Sequence, residues 1–427
     1  MKKYFLLLGL ILSICCSHLP AQQVNISTTN APQDPKAMLD INSTDKGVLL
    51  PRLTTGQRNA IHEPAKGLLV FQTDGTAGFY YYDGNFWVSL TGGAIVNSNG
   101  VSETYGLVTA YAGSTSGNAN GYDTAAKFKG PDGIAIDRLG NLYVADSGNH
   151  NIRKIAPDRT GTLFAGSVAG YINDTAARAA FNLPVSIAAD PNGNLYVTEI
   201  FNNRIRKIDP AGAVTTFAGD GFAGYIDATG EAASFFRPMG IATDNAGNIY
   251  VADTYNHRIR KINSSGVVTT IAGNGSPGFF NSTGITASFS RPAGLTLDAA
   301  GNIYVADMDN HSIRKITPAN VVTTFAGTGV AGNSDGTTST ASFHSPKAIT
   351  LDKEGNFYIA DAGNHTIRKI TPDAVVSTLA GAGSPGFSDG FSGAAYFNDP
   401  SGVVADKKGN LYVTDTGNHL IRKIVIH

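Results

Sequence analysis

Asp244-Asn-Ala-Gly-Asn-Ile-Tyr-Val-Ala-Asp-Thr-Tyr-Asn-His-Arg-Ile-Arg-Lys-Ile262 occurs in six versions, which begin at Asp137, Asp190, Asp244, Asp298, Asp352 and Asp406. Successive starts are 53, 54, 54, 54 and 54 residues apart. A period this regular marks one supersecondary unit stacked against copies of itself, and it outranks the reading of any single segment. In the third copy, four β-rich runs are evident: Gly240–Asp244, Asn248–Asp253, His257–Ile262 and Val268–Gly273, labelled a, b, c and d in every copy. Asp244-x-x-Gly247 suits a tight turn between a and b, with the Asp side chain capping it and the Gly taking a positive φ. Gly266 serves the same purpose between c and d. Four short strands per unit, six times over, predict an all-β chain folded as a six-bladed β-propeller.

The register of strand d bears on how the ring closes. Its copies begin at Val108, Gly161, Val214, Val268, Val322 and Val376. No d follows the last c before His427, whereas Val108–Gly113 is a d with no a, b or c ahead of it. The expectation is a sixth blade completed by this N-terminal strand, which leaves no unpaired edge between the first and last blades. Between each d and the next a lies an insert ending in Phe-x-x-Pro: Phe128/Pro131, Phe181/Pro184, Phe235/Pro238, Phe289/Pro292, Phe343/Pro346 and Phe397/Pro400. An aromatic at a fixed place in every unit is expected to be a wedge buried between blades.

Upstream, residues 1–22 read as a signal peptide: Met1-Lys2-Lys3, an apolar run from Tyr4 to Cys16, and a small-residue exit at Ala21. Both cysteines, Cys15 and Cys16, lie within it, so the exported chain is expected to carry no thiol; lipid attachment at Cys15 is not expected, because Ile14 before it is a poor fit. Residues 23–92 are expected to form a small β module. Thr54–Ile61 suits a helix, and the runs Leu68–Gln72, Phe79–Tyr82 and Phe86–Leu90 are joined at Asp74-Gly75 and Asp83-Gly84-Asn85, as in a meander. Residues 93–103 read as a linker, and 104–427 as the propeller. No later apolar run reaches transmembrane length. Charged residues are 15% of the chain and the net charge is -1, which gives no footprint for nucleic acid.

The run Tyr-Val-Ala-Asp-x-x-Asn-His-x-Ile-Arg-Lys-Ile, preceded by Gly-Ile-Ala-x-Asp-x-x-Gly-Asn, resembles the NHL repeat. The match is best around His150, His257, His311, His365 and His419, and the second copy departs from it at Glu199 and Asn203. The resemblance implies a six-bladed propeller and no single function: family members bind RNA or proteins, sense ligands outside cells, or are related to lactonases and lyases. The run Met38–Ile61, with Phe79–Leu90, resembles N-terminal modules of secreted and fibre-like surface proteins of Gram-negative bacteria, which implies a surface or stalk role.

The five repeat histidines invite a metal reading that geometry opposes. The b–c turns lie about 10 Å outside the inner strand, and zinc needs its ligand atoms within about 2 Å. The histidines are therefore expected to fix the turns. The Arg-Lys pair of every strand c is expected to pair with the repeating Asp residues and to line solvated rims. At the channel mouth, the residue after each Pro is Asp132, Val185, Met239, Ala293, Lys347 and Ser401. That set holds a single carboxylate, so Asp132 with Lys347 reads as a polar pair, and no catalytic residue, cofactor or metal is expected. The d–a inserts and b–c turns should share one face. There the second and third copies gather Ile200, Phe201, Phe236, Met239 and Tyr255 beside Arg237 and Arg291, a candidate interaction site. The expected function is an exported, non-catalytic propeller that binds a protein or glycan, with self-association through the N-terminal module. The alternative is a metal-dependent propeller lactonase or lyase.

Overall fold

Strand b is the most apolar run of each copy, as in Leu195-Tyr-Val-Thr-Glu199 and Ile249-Tyr-Val-Ala-Asp253, and in the computed structural model of the protein every residue of both strands is buried. The structure describes residues 24–27, 39–42, 49–74, 77–82, 87–89, 95–96, 102–103 and 106–426. The signal peptide, with Cys15 and Cys16, lies outside them, as do the expected turns at Asp83-Gly84-Asn85 and after Asp74. The chain forms two compact units, one essentially residues 1–91 and the other essentially 101–427.

In the larger unit, each copy is an antiparallel sheet in the order a-b-c-d. The third runs Ile241–Thr243, Ile249–Asp253, Arg258–Ile262 and Val268–Ala272. In the sixth, Pro400–Ala405, Leu411–Asp415 and Leu420–Ile426 are followed in space by Gly106–Ala112, which pairs antiparallel with Leu420–Ile426 from Ile426↔Gly106 to Ile421↔Ala112. Val108 and Ile424 face each other in this ladder and share one core cluster with Val403, Leu411 and Phe397. Clusters of this kind lie between every pair of neighbouring sheets, including one in which Ala112, Tyr412 and Ile421 of the sixth pack on Phe128, Ile134 and Leu142 of the first. Sheets joined this way form a closed six-bladed ring. The wedge residues Phe128, Phe181, Phe235, Phe289, Phe343 and Phe397 all have 0% exposure.

The inserts do more than connect blades. Each reaches back across the outer edge of strand d in the blade it precedes. Gly121–Tyr122, Gly336–Thr337 and Gly390–Phe391 pair there as short fifth strands, and Thr175, Thr229 and Thr283 do so through single bridges. An open strand edge is a template for aggregation, and this cover removes it.

In the smaller unit, Thr54 caps a helix over Thr55–Asn59, exchanging hydrogen bonds with Gln57 in a capping box. Leu69–Gln72, Gly78–Tyr82 and Trp87–Ser89 form the antiparallel meander, and Arg52–Leu53 adds to it in parallel. Arg58 is fully buried with its guanidinium over the Tyr80 ring, 4.6 Å from the centroid. Val24–Ser27 pairs in parallel with Leu39–Asn42. Within 93–103, read above as a linker, Ile95–Val96 and Ser102–Glu103 pair antiparallel, so part of that stretch is a short ladder.

Candidate functional site

The six a strands converge on the axis and line a narrow channel of about 90 Å³ in three tiers. The outermost holds Asp132, Val185, Met239, Ala293, Lys347 and Ser401, and the innermost is a plug of Ile134, Ile187, Ile241, Leu295, Ile349 and Val403. The middle tier is glycine at four of six places because adjacent strands nearly touch. A Cβ on Gly240 would lie 2.0 Å from the Ala293 carbonyl oxygen, and one on Gly402 would lie 2.5 Å from that of Asp132.

At the mouth, the residue before each family Pro is left-handed: Gly130, Leu183, Arg237, Arg291, Ser345 and Asp399 have φ between 47° and 57°. This kink turns the insert sharply into strand a and aims an N–H back at the preceding blade. The repeat histidines accept it. Nδ1 of His150, His257, His311, His365 and His419 takes the N–H of Leu183, Arg291, Ser345, Asp399 and Gly130 at 3.0–3.1 Å. In the second blade, Asn203 Oδ1 does the same for Arg237 at 2.9 Å. The histidines thus staple each blade to the next rather than fixing only their own turn. They too are left-handed, with φ of 50–60°, a conformation that Asn tolerates well. The acceptor must be unprotonated, and burial holds His150, His257, His311 and His365 below the ordinary imidazole range.

Behind each staple lies a buried carboxylate, which in the second to sixth blades is paired with the strand c arginine at 2.7–3.0 Å; in the first, Arg153 bonds Asn118, Ala119 and Asn120 of the insert instead. Asp253 Oδ1 accepts the Phe236 N–H at 2.8 Å, while Oδ2 accepts Asn256 Nδ2 at 2.8 Å and Arg260 Nη1 at 2.7 Å. Arg260 also reaches the Ile226 carbonyl and Asp227 in the insert, and it lies over the Phe235 wedge at 5.1 Å. Glu199 fills the Asp place in the second blade, accepting from Asn182, Asn202 and Arg206. The strand c arginines are therefore interior groups with 0% exposure, not rim residues. Lysine neighbours in five of the six blades lie over tyrosine rings, as Lys261 does over Tyr250 at 5.6 Å.

Of the mouth residues, Asp132, Lys347 and Ser401 do come together, but Lys347 pairs with a residue the sequence reading missed. Its Nζ lies 2.7 and 2.8 Å from the two carboxylate oxygens of Asp399 and 3.4 Å from Ser401 Oγ. The mouth thus holds two carboxylates where one was expected. Asp399 is the left-handed residue before Pro400, and the kink brings it inward. Burial pushes the Asp132 carboxyl up to about 6, with Lys347 opposing, Asp399 reinforcing and the Ser401 hydroxyl opposing. The Asp132 carboxyl is thus easier to protonate than an ordinary aspartate, although Lys347 nearby favours its charged form. Among the described residues, no three His, Cys, Asp or Glu side chains converge.

The blade two and three loops form one connected patch. Arg237 is stacked among three rings, 4.9 Å from Tyr255, 5.7 Å from Phe201 and 5.9 Å from Phe236. Phe236 and Tyr255 are themselves in contact at 5.4 Å. Hydrogen bonds from Arg237 and Arg291 to the Tyr255 hydroxyl lower its pKa. Arg291 is not free, since its Nη2 lies 2.8 Å from Asp309. Phe201 stays 54% exposed, while Ile200, Phe236, Met239 and Tyr255 are half-buried.

Five windows of the ring, residues 128–155, 235–262, 289–316, 343–370 and 397–424, match the NHL repeat family, each running from the wedge Phe into strand c. The chain is an NHL-repeat propeller. Residues 25–104 match a second family, described as a phage tail like trimerisation region. The NHL ring is similar to the protein SUPPRESSOR OF QUENCHING 1, chloroplastic, of Arabidopsis thaliana, with 31% identity over 318 residues, covering 69% of this chain and 30% of that protein. The chain spans less than half the length of the curated relatives it matches. Among solved structures, a structural genomics protein of unknown function from Bacteroides thetaiotaomicron is 23% identical at a TM-score of 0.60, covering 84% of this chain and 83% of that one. An auxiliary nutrient binding protein from the same organism is 18% identical at a TM-score of 0.59, covering 78% and 82%. At these identities the likeness is one of fold. No helix of the described residues is long and apolar enough to cross a membrane.

Proposed function

We propose that this NHL-repeat protein is exported and binds a protein or glycan, without catalysis, on the face formed by the b–c turns and inserts of its second and third blades. The observation that carries this reading is Arg237, fixed among Phe201, Phe236 and Tyr255. A guanidinium held by rings loses little conformational entropy on binding, and rigid aromatic and Arg anchors dominate recognition surfaces. Across the channel mouth on the same face, the Asp132–Lys347–Asp399 cluster adds polar groups suited to hydroxyls or amides of the same partner. The match to a trimerisation region supports a second element of the reading: residues 23–92 join copies of the chain, so that the rings are displayed together.

The test is a pull-down from fractionated cells with full-length wild type and Phe201→Ser. Phe201 is exposed, so its loss should leave the melting temperature unchanged while the captured partner is reduced. Undiminished capture by Phe201→Ser with Arg237→Ala would refute the site. Light scattering of the full chain tests assembly, and a monomeric mass would count against the N-terminal element.

A further inference from the structure

The far ends of the strands, away from Asp132 and the Arg237 cluster, hold a groove between the sixth and first blades. We propose that it binds a small organic anion with an aromatic or apolar body. The groove encloses about 690 Å³ and is lined by the a–b turns of both blades, the c–d turn of the first, and the outward rings of the sixth. That volume is in the range of small-molecule sites. Its back wall is Tyr111 against Tyr412, edge to face with centroids 4.9 Å apart. Ile136, Ala405 and Pro157 supply apolar surface, and Leu139 stands 80% exposed at the lip.

The charge is one-sided. Arg138, Lys407, Lys408 and Lys423 all line the groove, and among the described residues none of them forms a salt bridge with a carboxylate. Lys407 Nζ instead donates to the Arg138 carbonyl at 3.4 Å, which ties the two turns together across the seam. The acidic residues present are already engaged by their own turns. Asp137 accepts the N–H groups of Leu139 and Asn141 at 2.9 Å and the Asn141 amide at 2.7 Å. Asp406 accepts those of Lys408 and Asn410 at 2.8 and 2.9 Å and the Asn410 amide at 2.8 Å. Unpaired cations beside a low-dielectric wall are a favourable place for an anion.

The repeat provides its own control. The corresponding groove between the second and third blades is about 340 Å³ and has Pro191, Asn192, Asn245 and Ala246 where the sixth–first groove has Lys407, Lys408, Arg138 and Leu139. Its wall is Phe217 on Tyr196 instead of Tyr111 on Tyr412. Lys207 stands there in the place of Lys423, so that lysine belongs to the repeat; the backbone is otherwise the same without Arg138, Lys407, Lys408 or the second hydroxyl, and none of these is needed to build a blade. A ligand explains why they gather at one seam of a chain whose net charge is -1.

Calorimetry on the full chain with 1-naphthyl phosphate, inorganic phosphate and 1-naphthol tests this. Naphthyl phosphate should bind saturably, one per chain, and more tightly than either half alone; binding should weaken with salt. Lys407→Pro with Lys408→Asn writes the second blade's turn into the sixth, and should weaken binding at least about tenfold with melting unchanged. If that protein fails to fold, Arg138→Asn with Leu139→Ala, the third blade's turn, makes the same measurement. No saturable binding, equal binding by inorganic phosphate, or equal binding by a folded turn variant overturns the proposal.

Discussion

Replacing His257 separates the staple from every other reading of the repeat histidine. Nδ1 of His257 accepts the Arg291 N–H at 3.1 Å, and the residue itself is left-handed with φ 53°. Ala removes the acceptor, leaving a partly buried N–H unpaired at about 1–3 kcal/mol, and it meets a left-handed backbone at roughly another 1 kcal/mol. The sum, about 2–4 kcal/mol, corresponds to a drop in melting temperature of roughly 3–6 °C for a ring of this size. Asn should restore most of it, because Asn203 already makes this bond to Arg237 at 2.9 Å. Differential scanning calorimetry of wild type, His257→Ala and His257→Asn gives the answer. Equal losses in the two variants, or none in the Ala variant, would refute the staple. The pH dependence follows with its sign. Burial, with Arg291 adding and Asp309 opposing, holds the His257 pKa below its ordinary 6.5. The unfolded chain therefore takes up protons first, and stability present above pH 6.5 falls as pH drops through the window below it. Buried Asp253 and Asp307, pushed up to about 6 mainly by desolvation, act in the opposite sense between pH 3.8 and 6. The difference between wild type and His257→Asn isolates the histidine, and it should shrink the acid-side slope.

Other substitutions test the interior. Asp307→Ala leaves Arg314 buried without a carboxylate, since its insert partner is Asn281, and should cost about 3–5 kcal/mol by denaturant unfolding, whereas a rim pair would lose under about 1 kcal/mol. Phe289→Ala opens a cavity between the third and fourth blades at about 3–5 kcal/mol, read the same way. Val108→Asp puts a carboxylate into the core shared with Ile424 and Val403; it should lower stability by at least about 3 kcal/mol, and an unchanged melt would mean that Gly106–Ala112 is not part of the sixth blade in solution. Lys347→Met removes the cation facing Asp132 and should raise that carboxyl above about 6 in a carboxyl-detected NMR titration.

Much of the fold was legible because its determinants are local and repeated. The Asp244-x-x-Gly247 turn forms as read, with Asp244 accepting the N–H groups of Ala246 and Asn248 at 2.9 and 2.8 Å. The interior role of the arginines was half-read. The missing signal was an Asn or Asp exactly one spacing upstream of each: Asn120, Asn173, Asp227, Asn281, Asp335 and Asp389 all bond the arginine 33 residues later. That regularity marks the insert as a strap over its own blade. The Asn203 exchange was likewise a signal that the histidine acts as a hydrogen-bond acceptor. Asp399 carried no signal, since one residue at a variable position says nothing until the kink before Pro400 turns it toward Lys347.

By itself the sequence determined the unit, its number and its turn chemistry, because strand alternation, caps and glycine positions act over a few residues and recur every 54. Tertiary structure alone decided which blade a histidine serves, which carboxylates share the mouth, and that one seam gathers unpaired cations. These are contacts between segments of 33 to 289 residues' separation, and ring closure, not local preference, sets which of them meet.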